Sequence, residues 1–223
     1  MIILNLNAPA GAGKDVLCSG ISDYISYLGH HQFEVVHMEF KELLFDIAIR
    51  SSGLSRKLWF ALYEREYKEK PCPYLLINGV QSSPREWMIH CSENIMKPVF
   101  GEEVFGKAFA SKLKKLKDQA PKGKKLIVVI SDGGFIEESI PVVEYVGPDN
   151  YLLCRIHRIK PDGSAFNFEG DSRRYIRAEE FPENLRPHET DIMNVENDLN
   201  GTVRKICDYL FEIKGETLFE NTN

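Results

Sequence analysis

Lys14 stands at the end of a run of small residues, Pro9-Ala10-Gly11-Ala12-Gly13, and is followed by Asp15. In such a run, backbone N–H groups and the start of a helix converge on phosphate oxygens, while the lysine reaches the terminal phosphates. Two positions depart from the usual phosphate-loop pattern: Ala8 replaces its first glycine, and Asp15 replaces the Ser/Thr that ligates Mg²⁺. A second acid, Asp132, closes the apolar run 126–131. An Asp at the carboxyl end of such a strand lies beside a phosphate loop and helps to hold the metal or its water. Arg155, His157 and Arg158 end another apolar run, where cations could neutralise a phosphoryl group in transfer.

Other chemistries find no support. The six histidines show neither metal spacing nor a helical HExxH pattern. No nucleophile elbow is visible, and no Asn-Lys-x-Asp motif for reading guanine. The five cysteines are widely spaced without a CxxC pair, so they read as buried reduced thiols rather than a disulfide framework or zinc site. Phosphoryl transfer is the leading chemistry.

The elements that would position these residues can be read in order. Residues 2–7 form an apolar strand running into the loop, and Leu17, Ile21, Tyr24, Ile25 and Leu28 recur at helical spacing up to Gly29. Residues 33–38 read as a second strand, and a helical period restarts at Phe40. This alternation predicts a parallel sheet covered by helices on both faces. Residues 54–70 read as a mixed-charge helical segment ending at Pro71-Cys72-Pro73. Ser83-Pro84-Arg85-Glu86 carries Ser at N-cap, Pro at the first helical position and Glu three residues after the cap, so a helix should start there and stop at Pro98. A further helix opens at 101–103, with lysines gathered at its end as the helix dipole favours. Residues 191–194 read as a short last strand, followed by a closing helix around Val203 and Leu210 and a frayed tail from Gly215. Between strand 151–156 and that last strand, residues 159–190 form a polar insert containing Asp171-Ser172-Arg173-Arg174; an insert of this length suits a lid over reacting phosphates.

Together, Gly13-Lys14-Asp15, Ser83-Pro84-Arg85-Glu86 with Glu93, and Ser131-Asp132-Gly133-Gly134-Phe135 with Glu138 resemble the deoxynucleoside monophosphate kinases of bacteriophages. That family tends to carry an arginine where Gly134 stands here. The resemblance implies a three-layer α/β/α P-loop NTPase fold of the nucleoside monophosphate kinase type, with a parallel sheet and a lid insert. It also implies transfer of the γ-phosphoryl of ATP, with Mg²⁺, onto a deoxynucleoside 5′-monophosphate. The base would be read by a helical region at about 37–100 within a single domain, 1–223. On this reading residues 9–14 hold the ATP phosphates, and Asp15 and Asp132 serve the metal. Arg85 clamps the acceptor phosphate bidentately, and Phe40, Lys41 and Glu93 line the acceptor site. Arg155, Arg158 and Arg173 are the lid cations.

Composition sets the partners. A net charge of −5 and a pI near 5.7 disfavour a protein that coats nucleic acid through a basic surface, so the expected acceptor is a small nucleotide. DNA enters only under the alternative of a kinase acting on a modified base, of the hydroxymethyluracil type, in phage DNA. A second alternative is a regulatory module that binds nucleotide without turnover. No apolar run approaches the roughly 20 residues that span a membrane. A cytoplasmic protein is expected, in the host cytoplasm if phage-encoded, either alone or as a homodimer.

Overall fold

The computed structural model describes residues 1–160, 162–169 and 173–215. Asp171 and Ser172 of the insert, and the tail beyond Gly215, lie outside the described residues. Five strands form one sheet: β1 (Ile2–Asn7), β2 (Phe33–Met38), β5 (Lys125–Ile130), β6 (Tyr151–Arg158) and β7 (His188–Asn194). Their order is β2-β5-β1-β6-β7, and each of the four pairings is parallel. β1 sits at the centre with every residue buried, as a strand covered on both faces must be.

The period of two along β1 divides the core. Ile2, Leu4 and Leu6 pack against α1 (Lys14–Tyr27) and α8 (Leu199–Lys214) through Leu17, Ile21, Ile25, Val203 and Ile206. Ile3 points the other way, toward Phe109 and Leu113 of α6 (Val104–Gln119) and Val142 and Val143 of α7 (Ile136–Val146). The result is an α/β fold with helices on both faces of a parallel sheet. Asn7 pairs with Arg155, and Arg158 with Asn194, so the strands finish along one edge. The segments after them share that edge, where open α/β sheets gather ligands.

A third apolar cluster holds the region between β2 and α6. Phe45, Ala48 and Ile49 of α2 (Glu42–Ser52) meet Trp59 of α3 (Arg56–Leu62), together with Leu75, Met88 and Cys91. Here the structure corrects three expectations. The helical reading of 54–70 holds only over α3, and residues 72–82 form an antiparallel hairpin, β3 (Cys72–Ile77) and β4 (Val80–Ser82). Its turn is Asn78-Gly79, with φ of 51° and 82°, the left-handed pair that two-residue hairpins require.

Pro98 does not stop the helix begun at Ser83. After α4 (Pro84–Ile89), the backbone widens into a π-helical stretch, His90–Met96, and then resumes as α5 (Lys97–Phe100). The N–H of Lys97 bonds the carbonyl of Ser92, five residues back, which makes room for a proline ring in the next position. Gly101, at φ 88°, ends the run instead. The last strand begins at His188, three residues before the expected start, because it is a sheet edge whose outer residues are exposed and polar. The insert is correspondingly shorter at its carboxyl end. Among the described residues, no helix is long and apolar enough to cross a membrane.

Candidate functional site

The loop after β1 is held by side chains bonded to its own carbonyls. Lys14 Nζ donates to the carbonyls of Ala8 (2.7 Å) and Pro9 (2.8 Å). Arg158 Nη1 donates to Gly11 O at 3.3 Å, and Asn194 Nδ2 to Ala12 O at 2.7 Å. Gly11 and Gly13 take φ of 81° and 88°, values that residues with a Cβ rarely adopt. At Gly13, a Cβ would also stand 3.0 Å from Asn194 Nδ2. Pro9, Ala10, Gly11, Ala12 and Gly13 therefore form a tight cradle that opens directly into α1, with Lys14 at the first helical position and Asp15 exposed beside it.

Next to it, six of the residues expected to touch substrate or metal line one cavity of about 260 Å³: Phe40, Lys41, Arg85, Glu93, Asp132 and Arg173. Tyr63, Lys68, Lys97, Phe135 and Glu138 complete much of its wall. Arg85 is positioned by the α4 capping box, in which the Ser83 hydroxyl accepts the N–H of Glu86 and Glu86 accepts the N–H of Ser83. Its guanidinium donates to Glu69 at 3.3 Å. Glu93 lies on the π-helical stretch and pairs with Lys97 at 2.8 Å. Arg173 arrives from the insert, and its stem lies against Gly134, where a Cβ would fall 2.7 Å from the Arg173 Cβ. Gly134 thus leaves room for the stem of an arginine that arrives from elsewhere in the chain.

Asn7 fixes that arrangement. Its amide donates to the carbonyls of Gly133 and Arg174, both at 2.9 Å, and its oxygen accepts the N–H of Ile176 at 2.9 Å. One buried side chain at the end of β1 so ties the turn after β5 to the returning insert.

Asp132 is tied to the backbone of the segment after β2. Both carboxylate oxygens accept backbone N–H groups, from Phe40 at 2.9 Å and Lys41 at 3.0 Å, so it anchors the start of the α2 segment. Burial raises its pKa, against the pull of the Lys41 cation and these two bonds. Glu138 is pushed up to about 8, first by burial and then by the charge of Asp132. At neutral pH it carries a proton and can donate a hydrogen bond into the cavity.

The acid that joins Asp15 is Glu39. Ligand atoms of Asp15, His37 and Glu39 lie within 4.8 Å of one another. His37 Nε2 and Ser131 Oγ are hydrogen-bonded at 2.7 Å, and Lys41 Nζ meets Glu39 at 2.7 Å. Two carboxylates beside the loop suit a hard divalent ion; Asp132 is not part of that group.

The two arginines of β6 separate. Arg158 reaches the loop. Arg155 does not: its side chain is 2% exposed, grips Asp191 through Nε (2.9 Å) and Nη2 (2.6 Å), and also bonds Glu189 and the carbonyl of Ile176. It braces β6 against β7, a position dictated by register, since Arg155 stands directly beside Asp191. Sequence reasoning passed over Asn7, Asn194 and Glu39. A signal existed for the first two, because an asparagine in a buried strand must find partners. Compared with known proteins, the chain matches no family model and no curated protein, so what it does is read from the site itself.

Proposed function

We propose that the protein is a P-loop kinase that transfers the γ-phosphoryl of ATP to a deoxynucleoside 5′-monophosphate. The observation that carries this reading is the pairing of a glycine-rich cradle with a neighbouring cavity whose wall brings Lys41, Arg85 and Arg173 together. One phosphate-holding loop suits a nucleotide-binding protein of any kind. A second, cation-lined chamber on the same sheet edge suits an acceptor that carries a phosphate of its own.

Within the reading, Lys14 leaves the carbonyls of Ala8 and Pro9 to meet the donor phosphates. Arg85 and Lys41 hold the acceptor phosphate, Arg173 lies between the two chambers, and Arg158 neutralises charge on the migrating group. Mg²⁺ bound with ATP supplies charge neutralisation at the phosphates, and Asp15 and Glu39 are the residues that would hold it. Asp132 positions Phe40 and Lys41 by clasping their N–H groups. Acids in and around the cavity (Glu69 and Glu93) disfavour a polyanion lying across it, which supports a small acceptor over DNA.

Two variants test this. Lys14→Ala should lower kcat by roughly 10²-fold or more while leaving the fold intact. Arg85→Ala should raise KM for the monophosphate about tenfold at constant ATP affinity, because a charge-assisted grip on a phosphate is lost. A folded Lys14→Ala protein with normal turnover contradicts the loop assignment. An Arg85→Ala protein that loses ATP affinity instead contradicts the division between donor and acceptor.

A further inference from the structure

Asp15, His37 and Glu39 come from two elements that meet beside the phosphate loop. Asp15 is the second residue of α1, while His37 and Glu39 lie two apart along β2 and its continuation and so share one side of the chain. Ligand atoms of the three converge within 4.8 Å. Several of the surrounding bonds leave those atoms open. Lys41 Nζ (2.7 Å) and the Ser131 hydroxyl (3.4 Å) both donate to the same oxygen of Glu39, Oε1. The Ser19 hydroxyl bonds the backbone carbonyl of Asp15 rather than its side chain. Among the described residues, no hydrogen bond or ion pair takes up Glu39 Oε2 or the Asp15 carboxylate. His37 engages Ser131 Oγ through Nε2 at 2.7 Å, which leaves its other ring nitrogen for an ion.

We propose that the divalent ion beside the phosphate loop is ligated by His37 as well as by the two carboxylates, so that the site takes a first-row transition ion such as Mn²⁺ in preference to Mg²⁺. The proposal rests on the phosphate-loop reading and adds to it the class of ion that serves the loop. Three features carry it. Two carboxylates held this close repel each other until a cation arrives between them. Mg²⁺ takes oxygen ligands and keeps several of its waters, whereas an imidazole nitrogen suits transition ions. A ligating histidine gives its second ring nitrogen to a fixed partner, and Ser131 fills that place, joining His37 to Glu39 and so orienting two of the three donors.

The test follows Mn²⁺ uptake by electron paramagnetic resonance on the full chain without nucleotide, in wild type, His37→Gln and Asp15→Asn, with Mg²⁺ as competitor. Both side chains are exposed, so the variants should fold, which thermal melts would check. Wild type should hold Mn²⁺ more tightly than Mg²⁺, and spin-echo spectra of the bound ion should carry a nitrogen coupling. His37→Gln should weaken Mn²⁺ about tenfold, leave Mg²⁺ nearly unchanged and abolish that coupling. Asp15→Asn should weaken both ions. Bound Mn²⁺ without a nitrogen coupling in wild type, or undiminished Mn²⁺ affinity in His37→Gln, contradicts the histidine ligand. If wild type takes up no Mn²⁺, the metal site is wrong, and the loop reading falls with it only if ATP binding is missing as well.

Discussion

At the scale of single residues, arginine is used in two opposite ways. Arg155 is buried, and Asp191 and Glu189 take up its guanidinium; burial there is tolerable only because the charge is paired. Arg85 and Arg173 instead present charge to a cavity. Sequence position alone did not separate these uses, since Arg155 and Arg158 both end the same strand. Cross-strand register separated them, by setting Arg155 beside Asp191. Glu138 makes a residue-scale prediction. Its pKa in the folded chain is near 8, against an ordinary value of 4.5, so the folded state binds the extra proton between those limits. Stability should therefore fall as pH rises from about 4.5 to about 8. Glu138→Gln removes the titration. In urea denaturation at pH 6 and pH 9, the wild-type midpoint should drop more than that of the variant. Parallel drops would mean that Glu138 is ionised throughout.

At the scale of elements, one close approach places Glu138 on the cavity. A Cβ at Gly106 in α6 would fall 2.3 Å from the carbonyl oxygen of Glu138 in α7, with the α7 backbone carbon and Cα at 2.8 and 2.9 Å. Only glycine lets the two helix backbones come so near. Gly106→Ala should cost roughly 2 kcal/mol, as overpacking against backbone does, read as a lower urea midpoint at unchanged slope. An unchanged midpoint would show that the helices part freely. The strands, α1 and the start of α4 were legible in the sequence because each follows a local rule: continuous apolar runs, a period of 3.6, a capping box. The π-helical stretch was not, because it depends on how the chain accommodates Pro98 between α4 and Gly101. The β3–β4 hairpin was legible in principle from Asn78-Gly79, but the charged residues before it masked the change of period. In the site, Lys14, Asp15, Arg85 and Asp132 could be named as candidates from local pattern, and Glu93 only from the resemblance. Asn7 left a signal as a polar residue in a buried strand, but Glu39 did not, since it acts through a partner more than 20 residues away.

At the scale of the whole molecule, the parallel register brings the ends of all five strands to one edge, and the loop and the cavity open there as neighbours. Net charge argues against a polymer partner: at −5, the chain has no general attraction for a polyanion. The central claim, phosphoryl transfer to a small acceptor, is tested most directly by a single measurement. Purified protein with ATP and Mg²⁺ would be offered a panel of deoxynucleoside 5′-monophosphates and, separately, double-stranded DNA at two salt concentrations, and the diphosphate and ADP formed would be quantified. The account predicts stoichiometric diphosphate and ADP from at least one free monophosphate, with little dependence on salt. Phosphorylation confined to DNA and falling steeply with salt would contradict the acceptor, and ATP binding with no acceptor-stimulated ADP release would contradict the enzyme.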